Sequence, residues 1–112
     1  MIEKTIFDYL TAELAPVPVY MELPRHKPGT CVVIEKTGSG RSNHINSATI
    51  AVQSYAPSML AAAQLNETVK TAMDAAVQLP DVSASRLNSD YNYTDTTTKE
   101  YRYQAVYDVT HY

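Results

Sequence analysis

The stretch that decides the fold is 82-VSASRLNSDYNYTDTTTKEYRYQAVYDVTHY-112, which holds six of the chain's nine tyrosines. Two runs, VSASRLNSDYNYT and KEYRYQAVYDVTHY, alternate with a period of two on either side of the polar DTTT at 95–98. Such alternation around a polar break is typical of two antiparallel strands. The stretch therefore predicts a long C-terminal β-hairpin.

The tyrosines also predict how the two strands pair. A register that sets Tyr93 opposite Tyr101 places aromatic residues together on one face. The remaining pairs would be Tyr91–Tyr103 and Leu87–Tyr107 on that face, and Asn92–Arg102, Asp90–Gln104 and Arg86–Asp108 on the other. Each such pair contributes roughly 0.2–1 kcal/mol, and a slipped register would mix the two faces. We therefore predict that the tyrosines set the register and form a packing face.

The residues before this hairpin predict two helices and three strands. The predicted helices span 2–14 and 58–79, and the predicted strands span 17–23, 30–37 and 45–55. The second helix has an apolar stripe at helical spacing, made of Ala62, Leu65, Val69, Ala72, Met73 and Ala76. Pro57 precedes it and Pro80 ends it. The prolines of the 17–23 strand favour an edge position.

The element order α-β-β-β-α-β-β predicts an α+β fold. We expect a mainly antiparallel sheet with both helices on one face, in a single domain that spans 1–112. The other face of the sheet would stay partly exposed or meet another subunit.

Composition argues against several classes of function. The formal net charge of -3 disfavours a sequence-independent grip on nucleic acid, which depends on cationic contacts to phosphates. Stacking of bases on the tyrosine face is disfavoured by nearby acidic residues, namely Asp90, Asp95, Glu100 and Asp108. No apolar run is long enough for a membrane span, and MIEKTIFDYL is unlike a secretory signal. We therefore expect a cytoplasmic protein that binds neither a membrane nor a specific nucleic acid.

No catalytic or metal-binding signature stands out. His26, His44 and His111 lack the spacing of a helical metal pair, and Cys31 is the only cysteine. A buried structural thiol is the simpler interpretation of Cys31, and a catalytic nucleophile is the alternative. GSGRSNH, residues 38–44, lacks the phosphate-loop pattern and joins two predicted strands, which favours a flexible hairpin loop. We expect no cofactor, and a small enzyme or a ligand-binding module remains the rival class.

Three stretches carry a resemblance to a known family. They are APVPVYMELP at 15–24, SYAPSMLAAAQLNETVKTAM at 54–73, and SDYNYTDTTTKEYRYQAVYDVTHY at 89–112. In length, element order and these stretches, the chain resembles the small tail-terminator or tail-to-head joining proteins of long-tailed bacteriophages. That family includes minor tail and head–tail connector proteins.

The resemblance implies a non-enzymatic virion protein that assembles as a ring, commonly a hexamer. It implies contacts with copies of itself, with the tail-tube protein and with head connector proteins. It also implies a location in the bacterial host cytoplasm during assembly and then at the head–tail junction. The residues expected to contact a neighbouring subunit or the tube are Arg41, Ser42, Asn43, His44, Asp95, Thr96, Thr97, Thr98 and Arg102. A head-side neck adaptor that binds the portal complex is the alternative within this class.

Overall fold

A computed structural model describes all residues from Met1 to Tyr112 and confirms the α+β fold. Its elements follow the predicted order. They are α1 (Ile2–Glu13), β1 (Val19–Tyr20), β2 (Cys31–Ser42), β3 (Ile45–Tyr55), α2 (Met59–Asp74), a 3-10 turn (Ala75–Gln78), β4 (Val82–Asn92) and β5 (Arg102–His111).

The five strands form one sheet in the order β1-β2-β3-β5-β4. β1 runs parallel to β2, and all other neighbours are antiparallel. β3 and β4 therefore run in the same direction, joined by α2, with β5 between them. This arrangement places the two hairpins, β2–β3 and β4–β5, side by side in one sheet.

Both helices pack on one face of the sheet, as predicted. A cluster of 18 buried residues joins α1 and α2 to alternate residues of β2, β3 and β5. Its largest sheet residue is Tyr107, whose hydroxyl donates to the Asp74 carboxylate (2.8 Å) and to the Lys70 carbonyl (3.1 Å) of α2. Tyr9 of α1 likewise donates to the Ala72 carbonyl at 2.7 Å. These bonds satisfy phenolic groups that the core would otherwise leave unpaired.

α2 begins where the sequence predicts. Ser58 is in an extended conformation and its hydroxyl accepts a hydrogen bond from the Ala61 amide at 3.1 Å, which caps the helix. The predicted stripe is buried at Ala62, Val69, Met73 and Ala76, whereas Leu65 and Ala72 are only partly buried. Asn66, which lies outside the predicted stripe, is buried instead and binds Asp90 of β4.

The predicted hairpin register is confirmed in one half and wrong in the other. Leu87 does pair with Tyr107, and Arg86 with Asp108. A bulge between Leu87 and Ser89 then shifts every later pair by one residue. Instead of the predicted Tyr91–Tyr103, Asn92–Arg102 and Asp90–Gln104, the structure pairs Tyr91 with Gln104, Asn92 with Tyr103 and Asp90 with Ala105.

The tip of the hairpin follows the shifted register too. The Tyr93 amide donates to the Arg102 carbonyl at 2.9 Å, so Tyr93 lies beside Arg102 and not opposite Tyr101. Tyr91 and Tyr93 consequently face away from the helices, whereas Tyr107 faces the core.

Two strand boundaries also differ from the prediction. GSGRS belongs to β2, and the loop is a turn whose two central residues are Asn43 (φ 51°) and His44 (φ 66°). Positive φ at both positions is the type I′ pattern that matches the twist of a hairpin. β1 has only two residues instead of 17–23, although it is an edge strand as predicted. The chain leaves the sheet after Tyr20, and in the segment that follows Lys27 Nζ lies 5.2 Å from the centre of the Tyr55 ring.

Candidate interaction surfaces

The residues predicted to make contacts fall into two groups at opposite ends of the sheet. β3 pairs with β5 so that Asn46 lies beside His111 and Tyr55 lies beside Arg102. The β2–β3 tip, residues 41–44, is therefore at one end, and the β4–β5 tip, residues 95–98, is at the other. The molecule measures 44 Å along its longest axis and 25 Å across. The structure brings Arg102 together with the second tip only.

The first tip is fully accessible. Arg41, Ser42, Asn43 and His44 are all exposed. Arg41 takes part in none of the chain's five ion pairs. Its guanidinium is thus free to meet a carboxylate on another protein.

The second tip is an ordered turn. The Asp95 carboxylate accepts hydrogen bonds from the amides of Thr97 (2.9 Å) and Thr98 (3.4 Å), and these bonds lower the pKa of Asp95. Asp95 and Glu100 also form an isolated backbone bridge. The side chains of Thr96, Thr97 and Thr98 remain exposed. The tip therefore presents three hydroxyl groups on a fixed backbone.

The sheet face opposite the helices, which we call the open face, carries a continuous chain of hydrogen bonds. Arg102 Nη1 donates to the Tyr55 hydroxyl at 3.1 Å, and that hydroxyl donates to Gln53 Oε1 at 3.1 Å. Gln53 Nε2 then donates to Gln104 Oε1 at 2.9 Å, and Gln104 Nε2 donates to the Tyr91 hydroxyl. The chain crosses three strands, because Gln53 and Gln104 are register partners on β3 and β5 and Tyr91 lies on β4.

Arg102 fixes which group donates and which accepts at each step of this series of hydrogen bonds. A guanidinium only donates hydrogen bonds, so the Tyr55 hydroxyl must accept from Arg102 and donate onward. Both glutamine amides are thereby oriented, and Tyr91 receives a hydrogen bond at its oxygen. The hydroxyl proton of Tyr91 is not used within this series of hydrogen bonds, so it can be donated to another group. Tyr91 is 42% exposed.

Aromatic rings hold Arg102 from two sides. Its guanidinium carbon lies 4.5 Å from the centre of the Tyr93 ring and 5.7 Å from that of Tyr55. Arg102 Nε donates to the Tyr93 carbonyl at 2.7 Å, and Glu100 lies 3.7 Å from Nη1. Arg102 therefore has a structural role on the open face that sequence reasoning missed, and its predicted contact role stays a prediction.

The other titratable residues have structural surroundings. Cys31 is buried in a small cluster with Val33 and Tyr55, against which Tyr20 packs, and burial raises the pKa of its thiol. Asp90 accepts from Lys70 Nζ at 2.8 Å and from Asn66 Nδ2 at 3.1 Å, and the bond from Lys70 lowers its pKa. The structure brings no three of the His, Cys, Asp and Glu side chains into a metal-binding group.

Two grooves lie near the first tip. One, of about 490 Å³, is between the start of α1 and the β2–β3 hairpin and is lined by Glu3, Lys36, Arg41 and His111 among others. The other, of about 460 Å³, lies on the open face where β2, β3 and β5 carry small side chains. Lys36 is 3.3 Å from Glu3, so the first groove already contains an internal ion pair.

Gln53, Tyr55 and Gln104 were not predicted as surface-forming residues. The sequence does contain a pattern that points to them. Gln53 precedes Tyr55 by two residues and Gln104 follows Arg102 by two, so polar side chains recur on one face of each predicted strand.

Comparison with protein-family models and with curated proteins finds no match to the chain. Neither helix combines the length and apolarity that crossing a lipid bilayer requires.

Proposed function

We propose that the protein is a non-enzymatic structural protein of a bacteriophage virion that caps the tail tube and joins tail to head as a homo-oligomeric ring. The observation that carries the proposal is the placement of two exposed polar hairpin tips at opposite ends of one elongated domain. A joining protein has to contact two bodies at once, and such tips provide two separate contact surfaces. The assignment to phage rests on the resemblance of the three sequence stretches named above.

The sheet edges suit lateral contacts within a ring. β4 lies at one edge, and at the other edge β1 covers only Val32 and Val33 of β2. Both edges therefore offer unpaired backbone amides and carbonyls to a neighbouring subunit. In this mechanism one end of the ring binds the last ring of the tube and blocks further tube addition. The opposite end then presents a new surface to the head connector.

Deletion of the gene from the phage genome that encodes it tests the proposal. Electron micrographs of the lysate are expected to show overlong tails beside unattached filled heads. Tails of normal length beside unattached heads would contradict tube capping and favour the head-side neck adaptor. Normal infectious particles would contradict a structural role altogether.

Charge and size changes at each tip test the two-ended arrangement. Complementation with Arg41→Glu is expected to impair one junction, and Thr97→Arg is expected to impair the other, because the two residues are exposed at opposite ends. Lys4→Glu on the exposed side of α1 is the matched control and should complement normally. Indistinguishable defects in the two tip variants would contradict separate contact surfaces.

A further inference from the structure

β2 is much longer than the strand on its outer side. β1 pairs with β2 only at Val32 and Val33, whereas β2 continues to Ser42. Residues 34–42 therefore have no strand beside them on that side, and we call this stretch the free edge of β2. None of the twelve backbone hydrogen bonds outside the helices and strands involves a residue of this edge.

The backbone of the free edge directs polar groups outward. The Val32 amide donates to the Pro18 carbonyl at 2.9 Å, so at this residue the backbone groups point to the outer side of β2. Alternate residues of a strand direct their backbone groups to the same side, and Lys36 therefore does so too. The bulge after Lys36 transfers this orientation to Ser39 and Arg41. An added strand can thus form a ladder of hydrogen bonds with the free edge.

Two adjoining grooves follow the free edge on the side of the sheet that carries the helices. The first, of about 190 Å³, is lined by Ile34 and Ile50 among others, so part of its wall is apolar. The second is the groove of about 490 Å³ that reaches Arg41. Glu3 and Lys36 line both grooves, which makes them continuous. They leave room for the side chains of a strand added along this edge.

Two charged residues of the free edge have no ion-pair partner in the chain. Arg41 and Glu35 are exposed and belong to none of the five ion pairs. Arg41 lines the larger groove on the helix side, whereas Glu35 is the register partner of Ala51 on the open face. Lys36, which lies between them, is already paired with Glu3 at 3.3 Å. The free edge is therefore complementary to a strand with an acidic group on the helix side and a basic group on the open face.

We infer that the free edge of β2 binds an extended segment of a partner protein by strand addition. The segment has an apolar residue at the level of Ile34 and an acidic residue at the level of Arg41, both on the helix side. Arg41 is seven residues after Ile34 and the bulge takes up one of them, so these two residues of the segment are six positions apart. At about 3.3 Å per residue this separation is about 20 Å. A basic residue next to the apolar one faces Glu35.

A second copy of this chain is a poor occupant of the same edge. Antiparallel pairing of two free edges would bring Lys36 and Arg41 of one copy beside the same cations of the other, and like charges on neighbouring strands destabilise their pairing. The site is also short, because β1 closes it at Val33. A short segment of another protein avoids both difficulties. The inference rests on the proposed function for the source of the segment, which would be the body joined at the first tip, and it leaves the β4 edge available for contacts between copies.

An array of heptapeptides probed with the labelled full chain tests the inference. The reference peptide is Val-Lys-Thr-Thr-Val-Thr-Glu, which is synthesised in both directions because an added strand can run either way. Comparison peptides exchange its Lys and Glu or replace each by Thr. The wild type is expected to bind the reference peptide about fivefold more strongly than the charge-exchanged peptide, a ratio that exposed ion pairs can supply.

Charge reversal in the protein identifies the site. Arg41→Glu is expected to change the preference at the last peptide position from Glu to Lys, and Glu35→Lys is expected to change that at the second position from Lys to Glu. Lys99→Glu, an equal change at an exposed cation of the other tip, should leave both preferences as they are. Circular dichroism establishes that each variant is folded.

The peptide backbone provides an independent signature of strand addition. Alternate amides of an added strand face β2, so N-methylation of one alternate set should abolish binding, whereas N-methylation of the other set should leave it unchanged. A peptide held only by its side chains would show no such alternation.

A wild type that binds no peptide of the array above background would overturn the inference. The same holds if Arg41→Glu and Glu35→Lys keep the wild-type preferences, or if the effect of N-methylation does not alternate. Self-association of the wild type that Arg41→Glu changes would make a second copy the occupant and would also contradict it. None of these results bears on the micrographs of the gene deletion, so failure of this site and failure of the proposed function are distinguishable.

Discussion

Replacing Tyr107 by phenylalanine removes one hydroxyl group from the centre of the core and leaves the ring in place. That hydroxyl donates to the Asp74 carboxylate at 2.8 Å and to the Lys70 carbonyl at 3.1 Å, and the residue is 0% exposed. A hydrogen bond to a charged acceptor contributes about 1.5–3 kcal/mol. We therefore expect Tyr107→Phe to lower the free energy of unfolding by about 2 kcal/mol at pH 7. With an m-value of about 2 kcal/mol/M, the urea midpoint falls by about 1 M.

The pH dependence makes this prediction specific. Burial, reinforced by the Asp74 carboxylate, raises the pKa of Tyr107 well above its ordinary value of 10.0. In the unfolded chain Tyr107 ionises near pH 10, whereas in the folded chain it stays protonated. The stabilisation is therefore complete below pH 10 and is lost as the pH rises above it. At pH 11 the wild type should have lost about 1.4 kcal/mol that Tyr107→Phe does not lose, so the difference between them shrinks to about 0.6 kcal/mol.

Urea unfolding followed by far-ultraviolet circular dichroism at pH 7 and pH 11 measures both effects. Tyr112→Phe is the control, because that residue is 72% exposed and its loss should change neither midpoint. Equal stability of Tyr107→Phe and the wild type at pH 7 would refute the reasoning. A difference that is the same at both pH values would also refute it, since the hydroxyl would then not be the titrating group.

Three further predictions follow from individual contacts. Asp90→Asn should cost about 1 kcal/mol at pH 7, because it removes the nearer of the two carboxylates that pair with Lys70. Since that contact lowers the pKa of Asp90, its stabilisation is present above about pH 4 and lost on acidification, so urea midpoints of the two proteins should converge near pH 2. Ser58→Ala should lower the free energy of unfolding by about 1 kcal/mol through loss of the Ala61 cap, whereas Ser58→Asp should retain it. Cys31 should react with a disulfide reagent no faster than the protein opens, because burial raises its pKa; rapid reaction of the native protein would favour the nucleophile alternative.

The fold was predictable where the signal is local. The sequence predicts a helix over 58–79 and a strand over 45–55, and the structure has α2 at Met59–Asp74, continued by the 3-10 turn to Gln78, and β3 at Ile45–Tyr55. The bulge at Asn88 was not predictable, because Leu87, Ser89 and Tyr91 continue the same alternation through it. The inserted residue is recognisable only once both strands are in place.

The candidate surfaces were predictable in composition and not in arrangement. Polar tips at 41–44 and 95–98 were expected, but their opposite positions follow from the pairing of β3 with β5, which joins strands far apart in sequence. The glycines of GSGRS suggested a loop because glycine weakens strands. The structure keeps them in β2, where Gly40 lies so close to Ser47 that a Cβ would be 3.1 Å from its Oγ.

The central position of β5 affects how the chain can fold during synthesis. β5 is made after the other four strands of the sheet, yet it lies between β3 and β4 and contributes Ala105, Tyr107 and Val109 to the core. Until residues 102–111 leave the ribosome, β3 has an unpaired edge and α2 has no complete sheet to cover. The sheet must therefore close after translation of this segment, through contacts of high sequence separation, which fold slowly. A ribosome stalled before residue 102 is expected to hold a β2–β3 hairpin in which the backbone groups along the outer edge of β3 are unpaired. In that state the chain is most prone to aggregate, because the edge can pair with strands of other chains.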